Sequence, residues 1–471
     1  MRRNTKTSII FLLLATAAVA DHPNIVFVLA DDMGYGDPQS FNADSKIATT
    51  NIDALASAGM RFTDAHAPAA VCIPTRYGLL TGRYPHRANL KLDKAVLEAD
   101  RQTLPMMLRR AGYKTGAVGK WHLGFDNLKS AGYNYDYTKR FGGGPFDRGF
   151  ESYWGIHASL DIPPYFYIQN DRAVTDPTHQ VEASDSDGWS PIQGAFWRAG
   201  KMAPGFDHNE VLGNIFEHAV HFIGRQTQDA PFFLYVPLTG PHTPWLPPKN
   251  LEGKSEASMY GDFVLQVDQG VGRIAEALTK GGLGENTIFV FTSDNGPVWY
   301  QADVDRYGHR STHHFRGMKG DAWEGGHRVP LIVKWPGRVA ASSQSDQLVC
   351  HTDFFDTFES IVGLKDAKND RHPDSYDFSA TLLGKPDSGQ TRDMYIMRSS
   401  GGMFTYRKDN WKLIDGLGSG GFSKPRRMKP ETDGPQGQLY DLASDPSESN
   451  NLWSMHAEKV AELTKLMQNQ K

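Results

Sequence analysis

The chain has 471 residues, 22% of them charged and 39% hydrophobic, a formal net charge of −4 and two cysteines. Its length supports one large folded unit plus a smaller one, and its ordinary composition argues against disorder and repeats. The mild acidity argues against a general nucleic-acid binder, and two cysteines exclude a disulfide scaffold.

Residues 1–20 read as a signal peptide: Arg2, Arg3 and Lys6 form a basic start, Ile9 to Leu14 an apolar stretch, and Ala18-Val19-Ala20 a small-residue cleavage site. The expectation is a secreted or periplasmic protein whose mature chain starts near Asp21. No later stretch is apolar for the length a membrane helix needs, so no membrane partner is expected.

Asn24 to Ala30 is a continuous apolar, β-branched run that ends in Asp31-Asp32. A run buried on both faces suits a central parallel strand, and α/β proteins place their sites at the carboxyl ends of such strands. Two adjacent carboxylates there repel unless a cation lies between them; a helix cap or solvated turn is the alternative. Thr50 to Gly59 predicts a covering helix, and Met60 to Asp64 a strand.

Next comes Cys72-Ile73-Pro74-Thr75-Arg76. Pro74 suits the first turn of a helix, which places Cys72 just before a helix N-terminus, where backbone N–H groups and the helix dipole favour an anion. Arg76, one turn on, projects toward the same spot, so a bare thiol at 72 is expected to be a low-pKa nucleophile. The alternative is an ordinary buried or disulfide-bonded cysteine.

Thr103 to Ala111 predicts a helix and Lys114 to Val118 a strand running into Gly119-Lys120-Trp121-His122-Leu123-Gly124. If that segment stays extended, Lys120 and His122 face one side; otherwise they are a surface lysine and a structural histidine. Residues 125 to 210, rich in Gly, Pro, Asp and aromatics, read as long loops over the site. A helix from about Asn209 to Gln226 follows. The strand Phe232 to Val236 then leads to His242, which either fixes a turn or serves the site.

Tyr260 to Leu278 predicts an amphipathic helix. Thr287 to Ser293 predicts a second buried strand, ending in Asp294-Asn295-Gly296. Oxygen donors at a strand end suit Ca²⁺ or Mg²⁺ rather than zinc, though Asp-Asn-Gly is also a common turn. The basic and aromatic insertion 297–316 offers Trp299, Tyr300, His309, Arg310, His313 and His314 as a sugar subsite. Val329 to Trp335 predicts a strand and Asp353 to Ile361 a helix. Beyond about residue 380, short alternating segments at 394–397, 403–407, 411–417 and 438–441 predict a small antiparallel sheet, with a terminal helix over 456–467.

Five of these segments, in order, resemble the type I sulfatases. They are Asp31-Asp32; Cys72-Ile73-Pro74-Thr75-Arg76, with Thr75 where that family more often has Ser; Gly119 to Gly124; Ser293-Asp294-Asn295-Gly296; and Lys319 within 316–326. Leu439 to Leu452 is similar to the closing segment of that family.

The resemblance implies an α/β fold: an alkaline-phosphatase-like sandwich around a large mostly parallel sheet over 21–380, with a smaller C-terminal antiparallel subdomain and terminal helix over 381–471. It implies sulfate-ester hydrolysis, with Cys72 oxidised to formylglycine by a formylglycine-generating enzyme. It further implies one divalent ion, Ca²⁺ with Mg²⁺ as the alternative, held by Asp31, Asp32, Asp294 and Asn295 and touching residue 72.

Arg76 and Lys120 would orient the formylglycine hydrate. Lys319 would grip the sulfate, His242 would protonate the departing alcohol, and His122 would assist the hydrate's second hydroxyl. The secretion signal, aromatic loops and basic insertion suit a sulfated carbohydrate substrate. A phosphonate or phosphate monoester hydrolase of the same superfamily, or an unconverted carbohydrate-binding relative, are the competing readings.

Overall fold

The computed structural model describes residues 22–130, 133–364, 372–385 and 392–471; the expected signal segment lies outside them. Four strands organise the large sheet: β1 (Asn24–Asp31), β2 (Lys114–Lys120), β3 (Phe232–Pro241) and β4 (Thr287–Ser293). β1 lies between β3 and β4 and runs parallel to both, and β2 pairs in parallel with β3. Every residue of β1, β3 and β4 is buried. This explains why they read as continuous apolar runs: each side chain meets a helical layer on its own face of the sheet, and burying a large aliphatic or aromatic one contributes about 1.5–3 kcal/mol.

On one side of β4 the sheet continues through Leu331–Lys334, Met60–Phe62 and Ser343–Ser345. Beyond β2 it continues through Ser152–Ile156, Ile168–Gln169 and Arg172–Ala173, giving ten strands. Leu331–Lys334 is antiparallel to β4, so the sheet is mostly rather than wholly parallel. Ser152–Ile156 corrects the expectation that 125–210 is all loop. It pairs in parallel with β2 across Gly119 and Gly155, and its Ser-Tyr-Trp-Gly-Ile sequence, short and interrupted by glycine, carries no periodicity of its own.

The helices Thr50–Ser57, Val211–Ile223 and Ser258–Lys280 pack together, as do Cys72–Thr81, Leu104–Arg110 and Phe354–Ile361. Strands Met394–Arg398, Phe404–Lys408, Trp411–Ile414 and Gln438–Asp441 form a separate antiparallel sheet, against which the helix Ala457–Gln470 packs. Among the described residues no helix is long and apolar enough to cross a membrane.

Candidate active site

The carboxyl ends of β1, β2, β3 and β4 converge. In a regular strand Asp31 and Asp32 would point to opposite faces. Asp32 instead has a left-handed backbone, φ 64°, which ends the alternation. Ligand atoms of Asp31, Asp32 and His242 then lie within 4.8 Å of one another, as do those of Asp31, Cys72 and Asp294, and all five residues are buried. Such a backbone costs of order 1–3 kcal/mol for a residue other than glycine. Here it is the geometric reason that two consecutive carboxylates reach one site.

Cys72 is the first residue of the helix Cys72–Thr81 rather than the residue before it. Its thiol is free, as is that of Cys350. Burial raises the Cys72 thiol pKa despite the nearby Lys120 and Lys319 cations, which corrects the expectation of a low-pKa thiolate: desolvation outweighs the dipole and the lysines. Arg76, fully buried, donates from Nε and Nη2 to Asp294 Oδ2 at 3.1 and 2.8 Å and from Nη1 to the Lys120 carbonyl at 2.8 Å. It therefore links the Cys72 helix to the ends of β4 and β2.

Lys120 Nζ pairs with Asp31 Oδ2. Lys319 Nζ lies 2.6 and 2.7 Å from the two oxygens of Asp32, and Asn295 Nδ2 donates to Asp32 Oδ1 at 2.7 Å. Burial pushes the Asp31 carboxyl up, but Lys120, His242 and Arg76 more than compensate and hold it well below the usual carboxylate range. Burial and the neighbouring Asp31 charge instead push Asp294 up to about 7.

Two oxygens are left over. Asp31 Oδ1 and Asn295 Oδ1 are buried and receive no hydrogen bond. Unpaired buried oxygens are costly. Two of them, among carboxylates and an amide, fit a hard divalent cation.

β2 ends at Lys120, and His122 turns with φ 59°, so the two meet the site through a tight turn and not through strand alternation. Burial, with Lys120 and Arg76, keeps His122 well below the usual histidine pKa, and its Nδ1 has no partner. His242 donates from Nδ1 to the Thr243 carbonyl at 2.6 Å, which leaves Nε2 facing Asp32 Oδ2 at 3.7 Å.

The six expected sugar contacts separate. Trp299, Tyr300, Arg310, His313 and His314 line a cavity of about 420 Å³. His309 does not: it is fully buried, with Nε2 bonded to Asp37 Oδ1 at 2.8 Å. Its place on a sugar subsite is withdrawn, because a basic stretch read along the chain does not reveal which imidazole turns inward.

Asp37, Tyr260 and Ser311 belong to no motif in the sequence. The Tyr260 hydroxyl lies 2.5 Å from Asp37 Oδ2, 3.3 Å from the Asp32 carbonyl and 3.2 Å from Ser311 Oγ, bracing the end of β1 from below. The signal was Gly34 and Gly36: a Cβ on either would strike the carbonyl of Ser311 or Arg310, at 2.1 and 2.4 Å.

A mostly parallel sheet whose strand ends gather carboxylates, fixed cations and a helix-borne cysteine is an alkaline-phosphatase-like α/β fold with a site suited to an anionic ester. The sulfatase family profile matches residues 23–364, and the chain belongs to that family; it is a sulfuric ester hydrolase. An N-acetylgalactosamine-6-O-sulfatase of Bacteroides thetaiotaomicron is 32% identical over 95% of this chain and 93% of its own length. Human arylsulfatase A is 30% identical over 94% of this chain and 86% of its own. A solved structure from work on glycosaminoglycan metabolism by Bacteroides thetaiotaomicron superposes with a TM-score of 0.81 at 30% identity, covering 96% of this chain and 99% of that one.

Proposed function

We propose that the enzyme removes sulfate from a sulfated carbohydrate, using a formylglycine made from Cys72 and one Ca²⁺ held by Asp31, Asp32, Asp294 and Asn295. The observation that carries this is the meeting of Asp31, Cys72 and Asp294, from three separate chain segments, within 4.8 Å. The carbohydrate is supported by the sulfated-sugar relative and by the aromatic, basic cavity lining. A secretion signal over 1–20 and the boundary near 380 belong to the same proposal.

When bound, the cation supplies positive charge at the sulfate oxygens, and the formylglycine hydrate supplies the nucleophilic oxygen. The remaining steps belong to this chain's side chains. Lys319, fixed by Asp32, holds the anionic ester so that its sulfur faces residue 72, while Arg76 and Lys120, fixed by Asp294 and Asp31, orient the hydrate. As the S–O bond to the alcohol breaks, that oxygen takes the Nε2 proton of a His242 imidazolium, whose Nδ1–H stays on the Thr243 carbonyl, and leaves the ring neutral. His122, kept neutral by burial, is suited to accept a proton from the hydrate.

The test is hydrolysis of matched aryl sulfate and aryl phosphonate esters, a panel of sulfated oligosaccharides, and the intact mass of the Cys72 peptide after expression with a formylglycine-generating enzyme. The expected outcome is a thiol-to-aldehyde mass change, preference for sulfate, and release of sulfate from at least one oligosaccharide. An orders-of-magnitude preference for phosphonate would overturn it, as would full activity with an unconverted thiol.

A further inference from the structure

A strongly basic run, Lys424-Pro-Arg426-Arg427-Met-Lys429, lies in the connection between strands Trp411–Ile414 and Gln438–Asp441, and all of it is exposed. It is not a loose loop. The carbonyls of Pro425 and Arg426 accept hydrogen bonds from Ser419 N and Gly420 N at 3.0 and 2.8 Å, and Met428 N donates to the Leu417 carbonyl at 3.1 Å. The side chains are thus presented outward from a fixed backbone. Arg427 also donates to the Gly401 carbonyl. Among the described residues no carboxylate forms an ion pair with Lys424, Arg426 or Lys429; the acidic groups that follow, Glu431 and Asp433, point into solvent as well.

The run is tied to the sulfate-binding turn by one buried carboxylate. Asp321 Oδ1 accepts from Phe422 N and Ser423 N at 2.7 and 3.1 Å, while its Oδ2 accepts from Met318 N at 3.0 Å, the residue before Lys319. Ser423 and Lys424 line the same cavity as Trp299, Tyr300, Arg310 and His314. From Phe422 to Lys424 is two residues, a reach of about 7 Å at most. With a formal net charge of −4, the chain as a whole does not draw in anions; this edge of the cavity does so locally.

We infer that Lys424, Arg426, Arg427 and Lys429 form a rail that holds further anionic groups of the same substrate chain while one sulfate lies at Lys319. The preferred substrates are then oligosaccharides carrying several sulfate or carboxylate groups, not isolated monosulfated sugars. This rests on the carbohydrate reading above for its substrate and on the run's geometry for its position.

The test uses the full-length converted enzyme and a dextran sulfate oligosaccharide as probe, with binding measured by calorimetry at low and high salt and aryl sulfate turnover followed in parallel. R426S/K429S is compared with K249S/K254S, which removes the same charge from exposed lysines on another loop. The rail predicts that R426S/K429S weakens binding about tenfold at low salt, with the difference shrinking as salt screens it, while K249S/K254S binds like the parent. KM for the aryl sulfate stays unchanged in both. Equal weakening in the two variants, or none in R426S/K429S, overturns the rail. Failure of aryl sulfate turnover in the parent bears instead on the function proposed above, since binding is read without it.

Discussion

Two buried clusters in this protein look alike and behave differently. At the strand ends, Asp31, Asp32 and Asp294 face Arg76, Lys120 and Lys319. Between the large sheet and the small antiparallel one, Asp64, Glu324 and Glu448 face Arg328, Arg407 and Lys412, with His66 and His327 among them. Each cluster brings three ligand-type side chains within 4.8 Å: Asp31, Cys72 and Asp294 in the first, His66, Glu324 and His327 in the second.

The difference is in the lone pairs. In the second cluster one order of protons satisfies both rings. Lys412 Nζ lies 3.3 Å from His327 Nε2, His327 Nδ1 lies 3.0 Å from His66 Nδ1, and His66 Nε2 lies 2.7 Å from Asp64 Oδ1. With Lys412 as first donor and Asp64 as last acceptor, no imidazole nitrogen is left for a metal. In the first cluster Asp31 Oδ1 and Asn295 Oδ1 have no donor. Proximity of ligand types alone therefore does not distinguish the two clusters; the engagement of both imidazoles in the second, against the two free site oxygens of the first, does. The second cluster is instead a fastening: Lys412, on the small sheet, pairs at 2.9 Å with Glu324, which lies five residues beyond Lys319, and at 2.8 Å with Glu448.

If the first cluster works and the second one holds, variants should separate activity from stability. The largest effect belongs to the strand ends: Cys72→Ala should lower aryl sulfate turnover by about 10⁴-fold or more while changing unfolding free energy by no more than about 1 kcal/mol. Substantial residual turnover would place the nucleophile elsewhere. At the fastening, Lys412→Met leaves Glu448 buried without its cation and Glu324 with Arg328 alone, and should cost about 3–5 kcal/mol in denaturant unfolding. A wild-type transition midpoint would show that Lys412 holds nothing together.

The smallest effect is in pH. Burial, with Lys412, holds His327 well below the usual histidine range, and burial lowers His66 too. Below about pH 6.5 the unfolded chain binds protons that these rings refuse. Their contribution is therefore fully present above that pH and is lost as pH falls toward each ring's folded-state pKa, at no more than about 1.4 kcal/mol per unit for each ring. His327→Gln, which keeps one donor and one acceptor, should reduce that slope by one ring's share in unfolding curves taken from pH 7 down to 5. An unaltered slope would mean His327 is already charged in the folded protein.

Much of this was legible along the chain. β1 and β4 announce themselves because a strand buried on both faces must be apolar throughout, and their terminal oxygens stand out against it. The small sheet's four strands fall within a few residues of expectation because alternation is a local property. Ser152–Ile156 was not legible, since its place is set by β2 beside it. Nor was the inward turn of His309, which depends on Asp37, 272 positions away. The Cys72 thiol departs from the expected low pKa because a helix start is visible in sequence, whereas the desolvation that outweighs it is not.

By itself the sequence determined the family, the strand cores and the residue types that end them, because apolar patterning and short motifs are written in neighbouring positions. Only the tertiary structure decided which charges are already matched, which oxygens are left over and which imidazoles face outward. Those outcomes depend on the donors that distant segments bring within about 3 Å, and no local pattern encodes such a meeting.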